Sequence, residues 1–78
     1  MSRLNPPAMI GIIGGGQLGQ MMAISAKKSG YRIAVVDPDE NCPCASLADT
    51  FICAKYDDED ALDRLVKMSD VVTYEFEN

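Results

Sequence analysis

The stretch "IIGGGQLGQMM", residues 12–22, sets three consecutive glycines between a short apolar run and an amphipathic segment. Glycine is the residue most costly to order, so three in a row imply that something must approach that backbone closely. Gly14, Gly16 and Gly19 fit a G-x-G-x-x-G spacing: the first permits a sharp turn, the second lets an anion reach the main chain, and the third lets helix and strand pack closely. The N–H groups that open a helix have no intrahelical acceptor, and the helix dipole adds partial positive charge there. A phosphate held at that point needs no lysine. The competing reading is a tight turn that only packs helix against sheet, which does not require three adjacent glycines.

Outward from the loop, the chain alternates. Residues 8–13 ("AMIGII") read as a buried strand, and Gln17 to Ser29 as a helix with Leu18, Met21, Met22 and Ser25 on one face, where the two methionines are expected in the core. Lys27 and Lys28 suit its C-terminal end, and Gly30 stops it. Residues 31–37 ("YRIAVVD") form a second strand stopped by Pro38; residues 38–48 read as a loop with one helical turn near 45–48. Residues 50–55 ("TFICAK") give a third strand. A second helix follows, capped by Asp57 or Asp58, with Leu62, Leu65, Val66 and Met68 as its buried stripe. Residues 70–76 ("DVVTYEF") give a fourth strand. Such alternation predicts an α/β, Rossmann-like, doubly wound parallel sheet in the order 3-2-1-4. Strands 1 and 4 then lie side by side where the winding reverses, so the glycine loop and "EFEN" flank one crevice.

Bulk properties narrow the classes. With 78 residues the chain holds one small domain at most, and 47% hydrophobic against 24% charged residues is a globular composition. A formal net charge of −5 argues against a nucleic acid or an anionic membrane as partner. No apolar run approaches the ~20 residues that span a bilayer. Residues 1–7 form a polar, proline-bearing leader without a signal-peptide core, which predicts a cytoplasmic protein. Three cysteines fit reduced thiols better than a disulfide framework. Cys42 and Cys44 have the look of half a metal site, but without any histidine a set of four ligands would need carboxylates, so plain thiols are the simpler reading and no metal site is expected.

Among the acids, Asp37 ends strand 2 eighteen residues after Gly19, near where a dinucleotide fold keeps its ribose-binding acid; it reads equally as an acidic turn residue beside Pro38. Asp57, Asp58, Glu59 and Asp60 read as capping and solvation, since their spacing matches no calcium loop. Glu75 and Glu77 alternate with aromatics at the C-terminal end of strand 4, the end at which open α/β sheets bind ligands. Two carboxylates beside a phosphate loop suit a sugar phosphate; the alternative is a strand leaving the core with its acids in water.

The chain from Ala8 to Asn78 resembles the N-terminal region of the 5-(carboxyamino)imidazole ribonucleotide synthases, ATP-grasp ligases of purine biosynthesis, with "GGGQLG", "VVDPD" and "TYEFEN" carrying the likeness in order and spacing. The resemblance implies a pre-ATP-grasp domain over residues 8–78, truncated before the ATP-grasp and C-terminal domains. It implies a parent enzyme that uses ATP with magnesium, bicarbonate and 5-aminoimidazole ribonucleotide as a homodimer, with no catalytic residue and no bound cofactor in this stretch. It assigns the 5′-phosphate to the N–H groups of Gly16, Gln17 and Leu18 and the ribose hydroxyls to Glu75. Gly14, Gly15, Gly19, Asp37, Glu77 and Asn78 are secondary candidates. The alternative is an NAD-binding Rossmann domain of a dehydrogenase or regulatory module.

Overall fold

A computed structural model describes residues 7–75. Strands β1 (Met9–Ile13), β2 (Arg32–Asp37), β3 (Thr50–Cys53) and β4 (Val71–Tyr74) alternate with helices α1 (Gln17–Lys28) and α2 (Glu59–Met68). All neighbours pair in parallel in the order β3-β2-β1-β4, as the alternation predicts. Each strand is shorter than its apolar run at one end or both, because pairing stops where a neighbour ends; Phe76, Glu77 and Asn78 lie outside the described residues.

Strand parity divides the core. Ile12, Ile33 and Val35 meet Ala23 and Ala26 of α1, while Met9, Ile13, Ala34, Val36 and Ile52 meet Ala61 and Leu65 of α2. Fully burying side chains such as Ile12 and Ile33 contributes about 1.5–3 kcal/mol each. Helix α2 begins as expected, with the Asp58 carboxylate accepting the Ala61 N–H at 3.0 Å. Asp70 and Met9 exchange two bonds, Met9 N–H to Asp70 Oδ2 (2.7 Å) and Asp70 N–H to Met9 O (2.8 Å), fixing the start of β4 against β1.

The expected apolar faces of both helices are corrected. In α1 the residues turned to the sheet are Gly19, Ala23 and Ala26, while Leu18 and Met21 are exposed, Met21 to 67%; Ser25 is also outside and Met22 is half-buried. The cause is close approach. A Cβ on Gly19 would lie 2.5 Å from the Gly14 carbonyl oxygen, so the helix sits too near the loop for long side chains to fit beneath it. In α2, Ala61 and Leu65 are buried and Leu62 is half-buried, but Val66 and Met68 are exposed. Val66 stands about 140° round the helix from Ala61, and Met68 occupies the last turn, beyond the closest contact with the sheet.

Candidate functional site

Three neighbouring strands, β2, β1 and the edge strand β4, end level with one another. Ile13 pairs with Val36 on one side and Tyr74 on the other, so the next residues, Gly14, Asp37 and Glu75, stand in a row at the C-terminal edge. The ladder runs one step further on each side: Gly14 N–H donates to Val36 O at 3.0 Å, and Glu75 N–H to Ile13 O at 2.9 Å. Glycine loop and β4 exit therefore lie side by side at one edge of the sheet, as the strand order requires. Glu75 is half-buried and accepts from the Thr73 hydroxyl at 3.4 Å. Glu77 and Asn78 fall outside the described residues.

Each loop glycine has its own circumstance. Gly14 turns the chain with φ 105°, a left-handed angle that favours glycine. A Cβ on Gly15 would come within 2.6 Å of the Cys42 Sγ, and Gly19 is held by the Gly14 carbonyl. Gly16 is the N-cap of α1, with φ −74° and ψ −160°, an extended backbone open to any residue. Having no side chain, Gly16 makes no side-chain cap bond. Gln20 N–H makes the first helical bond, to Gly16 O at 2.9 Å, so the N–H groups of Gln17, Leu18 and Gly19 have no acceptor within the helix. Leu18 engages in a polar or ring contact of its own.

Asp37 is turned inward. It is 7% exposed; its Oδ2 accepts the Gly15 N–H (2.7 Å) and the Tyr56 hydroxyl (2.8 Å), and its Oδ1 accepts the Asp39 N–H (2.8 Å). Burial, then the hydrogen bond to Asp37 and that residue's charge, push the Tyr56 phenol up to about 12. Tyr56 thus remains a donor at any physiological pH. The loop after β2 closes beneath the glycines: Cys44 N–H donates to Gly15 O at 3.0 Å, and Ala48 N–H reaches back to Cys44 O at 3.1 Å as the expected single helical turn. Burial is the main cause that raises the Cys42 thiol, with Asp37's charge next, and it pushes Cys44 up to about 11. Both are free, protonated packing groups under the loop, while Cys53 is exposed. Among the described residues no group of three or more His, Cys, Asp or Glu side chains could hold a metal ion.

Sequence reasoning missed Tyr56, a tyrosine in an acidic loop that no spacing rule ties to the glycines. It also missed the cysteines' support of the loop; two small apolar side chains two residues apart in an otherwise polar segment were the available signal.

The fold and the loop define a doubly wound α/β domain whose glycine loop opens α1 at the C-terminal edge of the sheet. The chain belongs to the ribonucleotide synthetase preATP-grasp domain family, whose model matches residues 8–78. It is 64% identical over 77 residues to an N5-carboxyaminoimidazole ribonucleotide synthase of Staphylococcus epidermidis, covering 99% of this chain and 20% of that protein. The crystal structure of N5-carboxyaminoimidazole synthetase from Staphylococcus aureus, complexed with ADP, is similar over 100% of this chain and 21% of its own, with a TM-score of 0.95 and 60% identity. The Thermotoga maritima synthetase is similar over 88% of this chain and 19% of its own, with a TM-score of 0.85 and 48% identity. The chain spans about a fifth of the length of these relatives.

Proposed function

We propose that this chain is the ribonucleotide-holding, pre-ATP-grasp part of an ATP-dependent ligase that carboxylates 5-aminoimidazole ribonucleotide. The observation that carries the reading is Gly16. Gly14, Gly15 and Gly19 are explained by the protein's own turn and packing, whereas Gly16 has ordinary angles that any residue adopts and the helix opening behind it. A phosphate lying against Gly16 accounts for the missing side chain, with the main-chain N–H groups of Gly16, Gln17 and Leu18 around it. In this reading Glu75, which leaves β4 at the level of Gly14, accepts from the ribose hydroxyls; its position beside the loop supports the assignment. Glu77 and Asn78 follow it in sequence.

In the proposed reaction ATP phosphorylates bicarbonate to carboxyphosphate, releasing ADP. The carboxyl group then passes to the exocyclic amine of the ribonucleotide, phosphate leaves, and N5-carboxyaminoimidazole ribonucleotide forms. ATP, magnesium and the reacting groups would be held by parts of the relatives' length that this chain does not span. We assign the whole enzyme to the cytoplasm, as a homodimer. This stretch contributes binding and orientation, which convert a bimolecular encounter into a positioned one.

The dinucleotide reading is disfavoured by Asp37: the acid that would take an adenosine ribose already accepts from Gly15, Tyr56 and Asp39. The test is amide shifts of the isotope-labelled intact protein. With 5-aminoimidazole ribonucleotide, Gly14 to Gly19 should shift and Glu75 with them; with NADH they should not. Shifts with NADH alone would overturn the assignment.

A further inference from the structure

We propose that Asp37 is a positioning residue that sets the glycine loop for its anion, with Tyr56 spreading the carboxylate's charge so that the anion can approach; this rests on the reading in which the loop takes a phosphate. Asp37 is the charged residue that is buried among those described. Its Oδ2 takes the Gly15 N–H at 2.7 Å while the Gly15 carbonyl takes the Cys44 N–H at 3.0 Å. Both polar groups of Gly15 are therefore tied to the layer beneath the loop. The Gly15 N–H is turned toward β2, and the chain emerges at Gly16 in the extended geometry that opens α1. A loop of three glycines has many alternative conformations, and these two bonds select one before any ligand arrives.

Such a carboxylate has a cost. A negative charge one residue from the phosphate position repels the anion, and burial weakens solvent screening. Three donors offset this, and Tyr56 is the one supplied by a side chain, from the loop that follows β3. Removing its hydroxyl leaves more of the charge directed at the loop. A phosphate monoester with a second pKa of about 6 changes from monoanion to dianion across neutral pH, so the added repulsion must grow with pH. A merely structural loss would not.

The experiment uses the intact protein, ribose 5-phosphate as ligand, and the variants Asp37→Asn and Tyr56→Phe. Asp37→Asn should speed hydrogen exchange of the Gly15 amide about tenfold or more, the range for losing a bond to a charged acceptor, while the Ile12 and Val35 amides stay protected. Tyr56→Phe should raise the Kd for ribose 5-phosphate about tenfold at pH 8 and about twofold at pH 5. Unchanged Gly15 exchange in Asp37→Asn, or tighter phosphate binding by that variant, would overturn the positioning role. An equal loss at both pH values in Tyr56→Phe would overturn the charge-spreading role. Should Asp37→Asn fail to fold, Gly15 exchange in Tyr56→Phe, expected to quicken by a smaller factor, decides in its place. If the unaltered protein takes up no ribose 5-phosphate, the functional reading fails; Gly15 exchange still decides whether Asp37 holds the loop.

Discussion

Replacing Gly19 by alanine tests whether close helix–loop approach, rather than ligand contact, fixes that glycine. The added Cβ would lie 2.5 Å from the Gly14 carbonyl oxygen, about 0.9 Å inside the 3.4 Å at which ordinary contact begins. Since the obstructing atom is backbone, no side chain can swing away, and either α1 lifts or the turn at Gly14 deforms. Overpacking of this kind costs about 1–3 kcal/mol. Alanine's better helix propensity returns about 1 kcal/mol at an interior helical position. A backbone obstruction puts the cost in the upper half of that range, about 2–3 kcal/mol, so the net is a loss of roughly 1–2 kcal/mol, enough to lower Tm by several degrees in a domain of this size. Urea unfolding followed by circular dichroism, on Gly19→Ala beside Gly16→Ala, measures it. Gly16→Ala, at backbone angles any residue adopts, should change stability by less than ~1 kcal/mol. A Gly19→Ala variant as stable as the parent would refute the packing account.

Three further outcomes are expected. Glu75→Gln keeps the size of the side chain but removes its charge, and should weaken ribonucleotide binding by about 1.5–3 kcal/mol, measured calorimetrically; unchanged affinity would place Glu75 in solvent instead. Asp58→Ala removes the cap of α2 and should cost about 1 kcal/mol in chemical denaturation, with no effect on α1. The Tyr56 phenol, raised to about 12 in the fold against about 10 when unfolded, binds its proton more tightly in the native state. Its contribution is therefore complete below pH ~10 and is lost as pH rises toward 12. Alkaline melting curves of Tyr56→Phe should be flatter over that window than those of the parent; parallel curves would count against the bond to Asp37.

Strand order was readable because parallel strands announce themselves as short apolar runs: "AMIGII", "YRIAVVD" and "DVVTYEF" come at the right intervals, although β4 is partly exposed, and right-handed crossovers leave few ways to arrange them. Helix faces were not. Periodicity assigns the core to the largest apolar side chains, so it chose Leu18 and Met21 over Gly19, Ala23 and Ala26. Distance between helix and sheet makes the opposite choice, and that distance is set by a single carbonyl oxygen meeting Gly19. The same blindness affected α2, where Val66 looks as core-like as Leu65 until the position of the sheet is known.

At the site, the motif alone could not say which glycine serves the fold and which serves a ligand, because all four are identical as letters. Conformation and spatial neighbours separate them: a left-handed turn at Gly14, the Cys42 sulfur under Gly15, a carbonyl against Gly19, and backbone angles open to any residue at Gly16. Asp37 shows the limit from the other side. Its spacing from Gly19 fits both a ribose acid and a turn acid, and the structure gives it a third employment that neither reading contains, as acceptor for the loop's own backbone. That employment changes what the motif means. A dinucleotide site keeps its strand-end acid free for a hydroxyl. Here the acid accepts from the loop's own backbone, and in the proposed function hydroxyl recognition falls to Glu75, which leaves β4 at the level of Gly14. That division of roles is why we propose a ligand with one phosphate and one sugar, a ribonucleoside monophosphate, rather than a dinucleotide.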